Sequence, residues 1–241
     1  MSDFTADDLF ETVDRLVADV LRRAGCDRPP VDALGLAQDY FDLTVTEAEP
    51  EDDRPGRFGP RPPRRRGREI VLRPDQSEEG RQAVGARGCA KELLPTVLSK
   101  LGVVAGTENR SAQGQLLSVI VPRLLLPTKW FAADARKAGY DLAELKSRYP
   151  TVDWLTLAFR LLDLDEPCVI AVVDDGAVAA RRGNRFAVTK QLTAAEQKCL
   201  ALVDEHREPQ RARAAEWTAW GWPVPTGPWG RILLRSVPDD I

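Results

Sequence analysis

Between Ser77 and Leu126 apolar residues recur at helical spacing in two successive blocks, and no other feature limits the fold of this chain as strongly. At about 100° per residue, Ala83, Ala86, Ala90, Leu93, Leu94, Val97 and Leu101 fall on one arc. That spacing predicts a long helix from about Ser77 to Leu94, bent at Pro95 before Leu101. A second apolar helix is expected from about Arg110 to Leu126. Helices with such faces need a common core and a further layer to cover it. With 241 residues, 43% hydrophobic and 29% charged, the chain has the material for one.

The flanking segments supply that layer. Thr5 and Asp8 form a capping-box pattern and Phe4 can staple onto Leu9. Leu9, Val13, Leu16, Val17, Val20 and Leu21 continue at helical spacing until Gly25. A short helix is expected after Pro29-Pro30, through Val31, Leu34, Leu36 and Ala37. Leu43–Thr46 and Glu69–Leu72 read as strands. Short helices are expected near Ala132–Lys137, Asp141–Ser147 and Val152–Leu162. Cys168–Val173 and Ala177–Arg181 flank Asp174-Asp175-Gly176, a hairpin signal. Thr193 and Glu196 form a second capping box, for a helix ending near His206. Trp217, Trp220, Trp222 and Trp229 read as large plugs of a small C-terminal unit joined by tight turns, before a strand at Arg231–Leu234. The expected class is α+β: a helical core with a small sheet over 1–175, and a smaller C-terminal portion over 176–241.

Charge and cysteines exclude several functions. The net charge of −3 gives no general attraction to nucleic acid or membrane. Cys26, Cys89, Cys168 and Cys199 are far apart and read as reduced, mostly buried residues. No apolar run reaches membrane-spanning length, and a cytoplasmic, non-membrane protein is expected. The exception is the Pro/Arg loop over 48–68. Arg54 to Arg73 holds eight arginines and one acid, Glu69. Arg61, Arg64, Arg65, Arg66 and Arg68 form a basic patch that could meet phosphates. Few aromatics are interleaved, and Glu47, Glu49, Glu51, Asp52 and Asp53 stand just before it. A solvated loop is therefore favoured over a nucleic-acid interface.

Ile70-Val71-Leu72-Arg73-Pro74 directly precedes the long helix. The second apolar helix leads into Leu124-Leu125-Leu126-Pro127 and Trp130-Phe131, and a later run reads Leu162-Asp163-Leu164…Pro167-Cys168-Val169-Ile170. In order and spacing this stretch, about Val31 to Val173, resembles the ImmA/IrrE family of zinc metallo-endopeptidase-like proteins. The resemblance implies a zincin-like core whose long helix carries HExxH. Two histidines one turn apart would hold Zn²⁺, and the glutamate would activate its water.

Here the helix reads Ala86-Arg87-Gly88-Cys89-Ala90-Lys91-Glu92. By position Arg87 and Lys91 replace the histidines and Gly88 the glutamate. His206 is the single histidine of the chain. The family's acidic ligand on the next helix is also missing: no acid lies between Glu108 and Asp134, and Gln113 and Gln115 are the nearest polar candidates to line a pocket. Zinc is the cofactor that the resemblance implies, its ligands are absent, and no cofactor is expected. On the helical wheel Arg87 and Lys91 border the apolar arc, with Arg81, Gly85, Gly88 and Glu92 opposite it. The two cations would pair with an acid in the old cavity, hold an anion, or snorkel to the surface.

The expected function is a catalytically inactive relative acting by binding a protein. Family members pair with transcriptional repressors, so the implied partner is a transcriptional regulator. The alternatives are a divergent hydrolase with another residue set, or a nucleic-acid-associated regulator using Arg54–Arg73.

Overall fold

The computed structural model describes residues 5–48, 68–103, 110–225 and 230–239. The protein is α+β, with helices and two separate sheets. It divides into two compact units, Met1–Phe131 with Tyr149–Val152, and Ala132–Arg148 with Asp153–Ile241. The boundary expected at 175/176 would fall in a hairpin turn of the second unit.

In the first unit α1 (Ala6–Arg23) starts at the expected capping box: the Thr5 hydroxyl accepts from the Asp8 N–H, and Asp8 accepts from the Thr5 N–H. The Phe4 staple lies outside the described residues. A short α2 (Ala33–Gly35), N-capped by Asp32, runs into a π-helical turn, Leu36–Tyr40. Strands β1 (Thr44–Glu47) and β2 (Glu69–Leu72) pair in parallel, Thr44 opposite Glu69 and Glu47 opposite Leu72. The long helix α3 (Glu78–Lys100) runs through Pro95, whose ring is exposed, and is capped at Leu101. Helix α4 (Arg110–Leu125) packs against it. Leu9, Val13, Val17, Leu36, Ile70, Leu72, Leu93, Val97, Leu117 and Ile120 belong to one core.

Helix α5 (Thr128–Lys137) begins just after the Leu124–Pro127 block, and α6 (Leu142–Arg148), α7 (Trp154–Arg160) and a 3₁₀ turn (Leu161–Asp163) follow. The second unit holds an antiparallel sheet of β3 (Val169–Asp174), β4 (Ala177–Gly183), β5 (Gln210–Ala214), β6 (Trp217–Val224) and β7 (Arg231–Pro238). Their order is β4-β3-β7-β6-β5. The tryptophans expected to sit among tight turns stand instead on a strand: Trp217, Trp220 and Trp222 all lie on β6, and Trp229 is outside the described residues. β5 went unread because Gln-Arg-Ala-Arg-Ala carries no β-branched residue. Helix α8 (Ala194–His206) covers one face of the sheet, where Ala195, Cys199 and Val203 meet Ala171, Ala212, Ala219 and Leu234. A Cβ at Gly221 would stand 2.7 Å from Val203 Cγ2, which shows how closely α8 approaches β6.

Candidate functional site

Helix α3 brings the positions singled out in the sequence to one groove of about 240 Å³. Its walls are Leu43, Glu69, Ile70, Val71, Val84, Arg87, Gly88, Lys91 and Glu92. Three contacts show how β2 lies along the helix. A Cβ on Gly88 would meet Ile70 Cδ1 at 2.5 Å, Arg68 at the start of β2 stands 3.9 Å from Glu92, and Arg81 pairs at 2.8 Å with Glu47, opposite Leu72. So β2 runs antiparallel beside α3, with Gly88 giving the room for its close approach.

The helical wheel needs one correction. Gly85 and Gly88, placed opposite the apolar arc, are not on an open face. Gly85 packs under Ala33 and Leu34 of α2, and Gly88 under Ile70. The two-residue glycine pattern is the signal for that close packing, and a wheel scored by hydrophobicity passes over it. Buried Gln82 fixes the same side: its Oε1 accepts from the Ala33 N–H at 2.6 Å and its Nε2 donates to Asp32 at 3.1 Å. Cys89 is buried there, and burial pushes its thiol up to about 12.

Arg87 and Lys91 are exposed beside the groove. Neither has an ion-pair or hydrogen-bond partner among the described residues. The two acids of the groove are engaged elsewhere: Glu69 accepts from the Thr46 hydroxyl at 3.0 Å, and Glu92 faces Arg68, which also lies 3.6 Å from Asp42. Gln113, half-buried, and Gln115, exposed, lie on α4 and do not line this groove. Of the basic patch, Arg68 is described and exposed; Arg61, Arg64, Arg65 and Arg66 lie outside the described residues. No three His, Cys, Asp or Glu side chains converge as a metal-ligand set among the described residues.

Other residues singled out in the sequence stand at turns and helix ends. Asp174 forms a two-bond pair with Arg231 across β3 and β7, at 2.6 and 2.8 Å, and those bonds hold its carboxyl below the usual range. Asp175 adopts a left-handed turn conformation and accepts from the Gly230 N–H at 2.9 Å. His206 closes α8 and is exposed. Two buried charge clusters were missed. The Glu196 carboxylate is fully buried and accepts from Arg181 Nε, from the Ser236 hydroxyl at 2.7 Å and from the Thr193 N–H at 2.7 Å. Arg235, also buried, lies 4.7 Å from the Tyr140 ring and 5.3 Å from the Trp220 ring. Only the capping-box half of the first cluster has a local signal.

No family model matches the chain, and no curated protein does. Its fold is shared with a solved structure described as a transcriptional regulator of Mycobacterium tuberculosis. The TM-score is 0.64 and the identity 16%, over 94% of this chain and 75% of that one. At that identity the likeness is one of fold. Among the described residues no single helix is long and apolar enough to cross a membrane.

Proposed function

We propose that the protein is a catalytically inactive relative of the ImmA/IrrE metallo-endopeptidases and works as a regulatory, protein-binding module. One observation carries the reading. The turn of α3 that corresponds to HExxH presents Arg87 and Lys91, exposed and without partner acids among the described residues, beside an open groove. Two cations one helical turn apart repel a dication where two imidazoles would bind it. The order of strand β2, helix α3, helix α4 and the Leu124–Pro127 block supports the relationship. The fold shared with a transcriptional regulator is compatible with a regulatory role. The proposed partner, itself a transcriptional regulator, rests on the family resemblance alone.

Zinc titration of the purified chain, read by calorimetry and paired with a peptidase assay, tests this. The expected outcome is no stoichiometric tight binding and no zinc-dependent cleavage. Tight zinc held by side chains of α3 and α4, with cleavage lost on mutating them, overturns the reading.

A further inference from the structure

The groove beside Arg87 and Lys91 is bordered by an unfinished sheet. β1 and β2 form a sheet of two strands, so β2 has one paired edge and one open edge among the described residues. The Thr44 N–H donates to the Arg68 carbonyl at 2.9 Å and the Ala48 N–H to the Leu72 carbonyl at 2.7 Å. Strand hydrogen bonding alternates by residue, so the even-numbered residues of β2 face β1. Glu69 and Val71 then turn their N–H and C=O groups to the open edge. Val71 is also an exposed large apolar side chain, at 52% of its full accessibility, where Ile70 and Leu72 are buried.

The open edge and the two cations lie on the same side of α3. The groove takes its walls from Glu69, Ile70 and Val71 on one side and Val84, Arg87 and Lys91 on the other. Because β2 runs along α3, a strand added to β2 would also run along the helix. Arg87 and Lys91 are about 6 Å apart along the helix axis. Alternate residues of an extended strand are about 7 Å apart, so two same-face side chains of an added strand match the two cations in spacing.

The geometry points to β2 as a docking edge for an extended acidic segment of a partner protein, paired through Glu69 and Val71 and held by acidic side chains at alternate positions against Arg87 and Lys91. This names the partner chemistry of the protein-binding module proposed above and rests on that reading. Main-chain pairing supplies the affinity, and the charge pattern selects an acidic segment over a basic one. Backbone pairing also separates a peptide from a polyanion, which would use the charges alone.

The test uses the full chain, labelled with ¹⁵N, and a short peptide alternating Glu and Val, with a Lys–Val peptide as control. Binding is followed by fluorescence anisotropy and by the amide shifts of Glu69 and Val71. The acidic peptide is expected to bind and shift both amides, and the basic peptide to do neither. Arg87→Glu with Lys91→Glu should weaken binding roughly tenfold or more. Val71→Pro removes an edge N–H without touching the bonds to β1, and should weaken binding while leaving both cations in place. Absence of binding to the intact chain overturns the proposal. So does equal binding by the double charge variant, or binding that depends on the cations but survives Val71→Pro, since that is a charged surface without strand addition. None of these outcomes alters the zinc result, so the two readings fail separately.

Discussion

At the scale of single residues, the side chains that carry most consequence are charges shut inside the second unit. Glu196 takes part in a local motif that is readable from Thr193-Ala194-Ala195-Glu196, and the structure forms it as read. The same carboxylate also receives Arg181 from β4 and Ser236 from β7, fifteen and forty residues away. Nothing in the local sequence announces those partners, because they are set by strand pairing. Removing the acid strands the Arg181 guanidinium, whose side chain is 5% exposed. Glu196→Ala is therefore expected to destabilise the fold by about 3–5 kcal/mol, and Glu196→Gln by less, because the amide keeps an acceptor. Urea denaturation checks this, and a loss under about 1 kcal/mol for the alanine variant would remove the pair from the stabilising contacts.

At the scale of elements, α3 shows where sequence reasoning succeeds and where it stops. Its start and its buried stripe follow from Ser77 and from the 3.6-residue period, and β2 matches its expected limits, Glu69 to Leu72. Its passage through Pro95 to a cap at Leu101 is legible only because the apolar period continues past the proline at Val97 and Leu101. Leu93, Leu94, Val97 and Leu98 are buried on both sides of that proline, and their packing outweighs the hydrogen bond lost to the Lys91 carbonyl. Since the ring is exposed, Pro95→Ala should restore that bond without opening a cavity. The expected gain is about 1–3 kcal/mol, reduced by the extra freedom of the unfolded chain. A raised melting temperature with an unchanged circular dichroism spectrum verifies it. A lower one means that the proline shapes the helix. The glycines of α3 carry the complementary lesson: Gly85 and Gly88 look like an idle polar face until α2 and β2 are seen to lie on them.

At the scale of the whole molecule, the α+β class and the order of elements as far as α8 were legible, and the sheet that organises the second unit was not. Hairpin β3–β4 has its turn signal in the sequence. The neighbours of β7 had none, since long-range pairing leaves no periodic trace. The pair Asp174–Arg231 closes one end of the β3–β7 ladder and gives that ladder a pH signature. Its hydrogen bonds from Arg231 lower the Asp174 pKa below 3.8, the value expected when unfolded. The contribution is thus complete above that unfolded value and is lost as pH falls through the lowered one. Asp174→Asn should flatten the acid limb of the stability curve below about pH 4 and leave its slope near neutrality unchanged. Parallel acid titrations of the two proteins, followed by circular dichroism, distinguish that from a uniform loss.

The strand order has a consequence for assembly. β7 lies between β3 and β6, yet it follows both of them along the chain. Before β7 docks, β3–β4 and β5–β6 can pair only as two separate hairpins, each with the edge exposed that β7 will later occupy. Helix α8 meanwhile has β5 and β6 to rest on, which make most of its contact with the sheet. Such edges are where chains pair with the wrong neighbour, so misassembly has its window in the interval before Arg231–Pro238 docks.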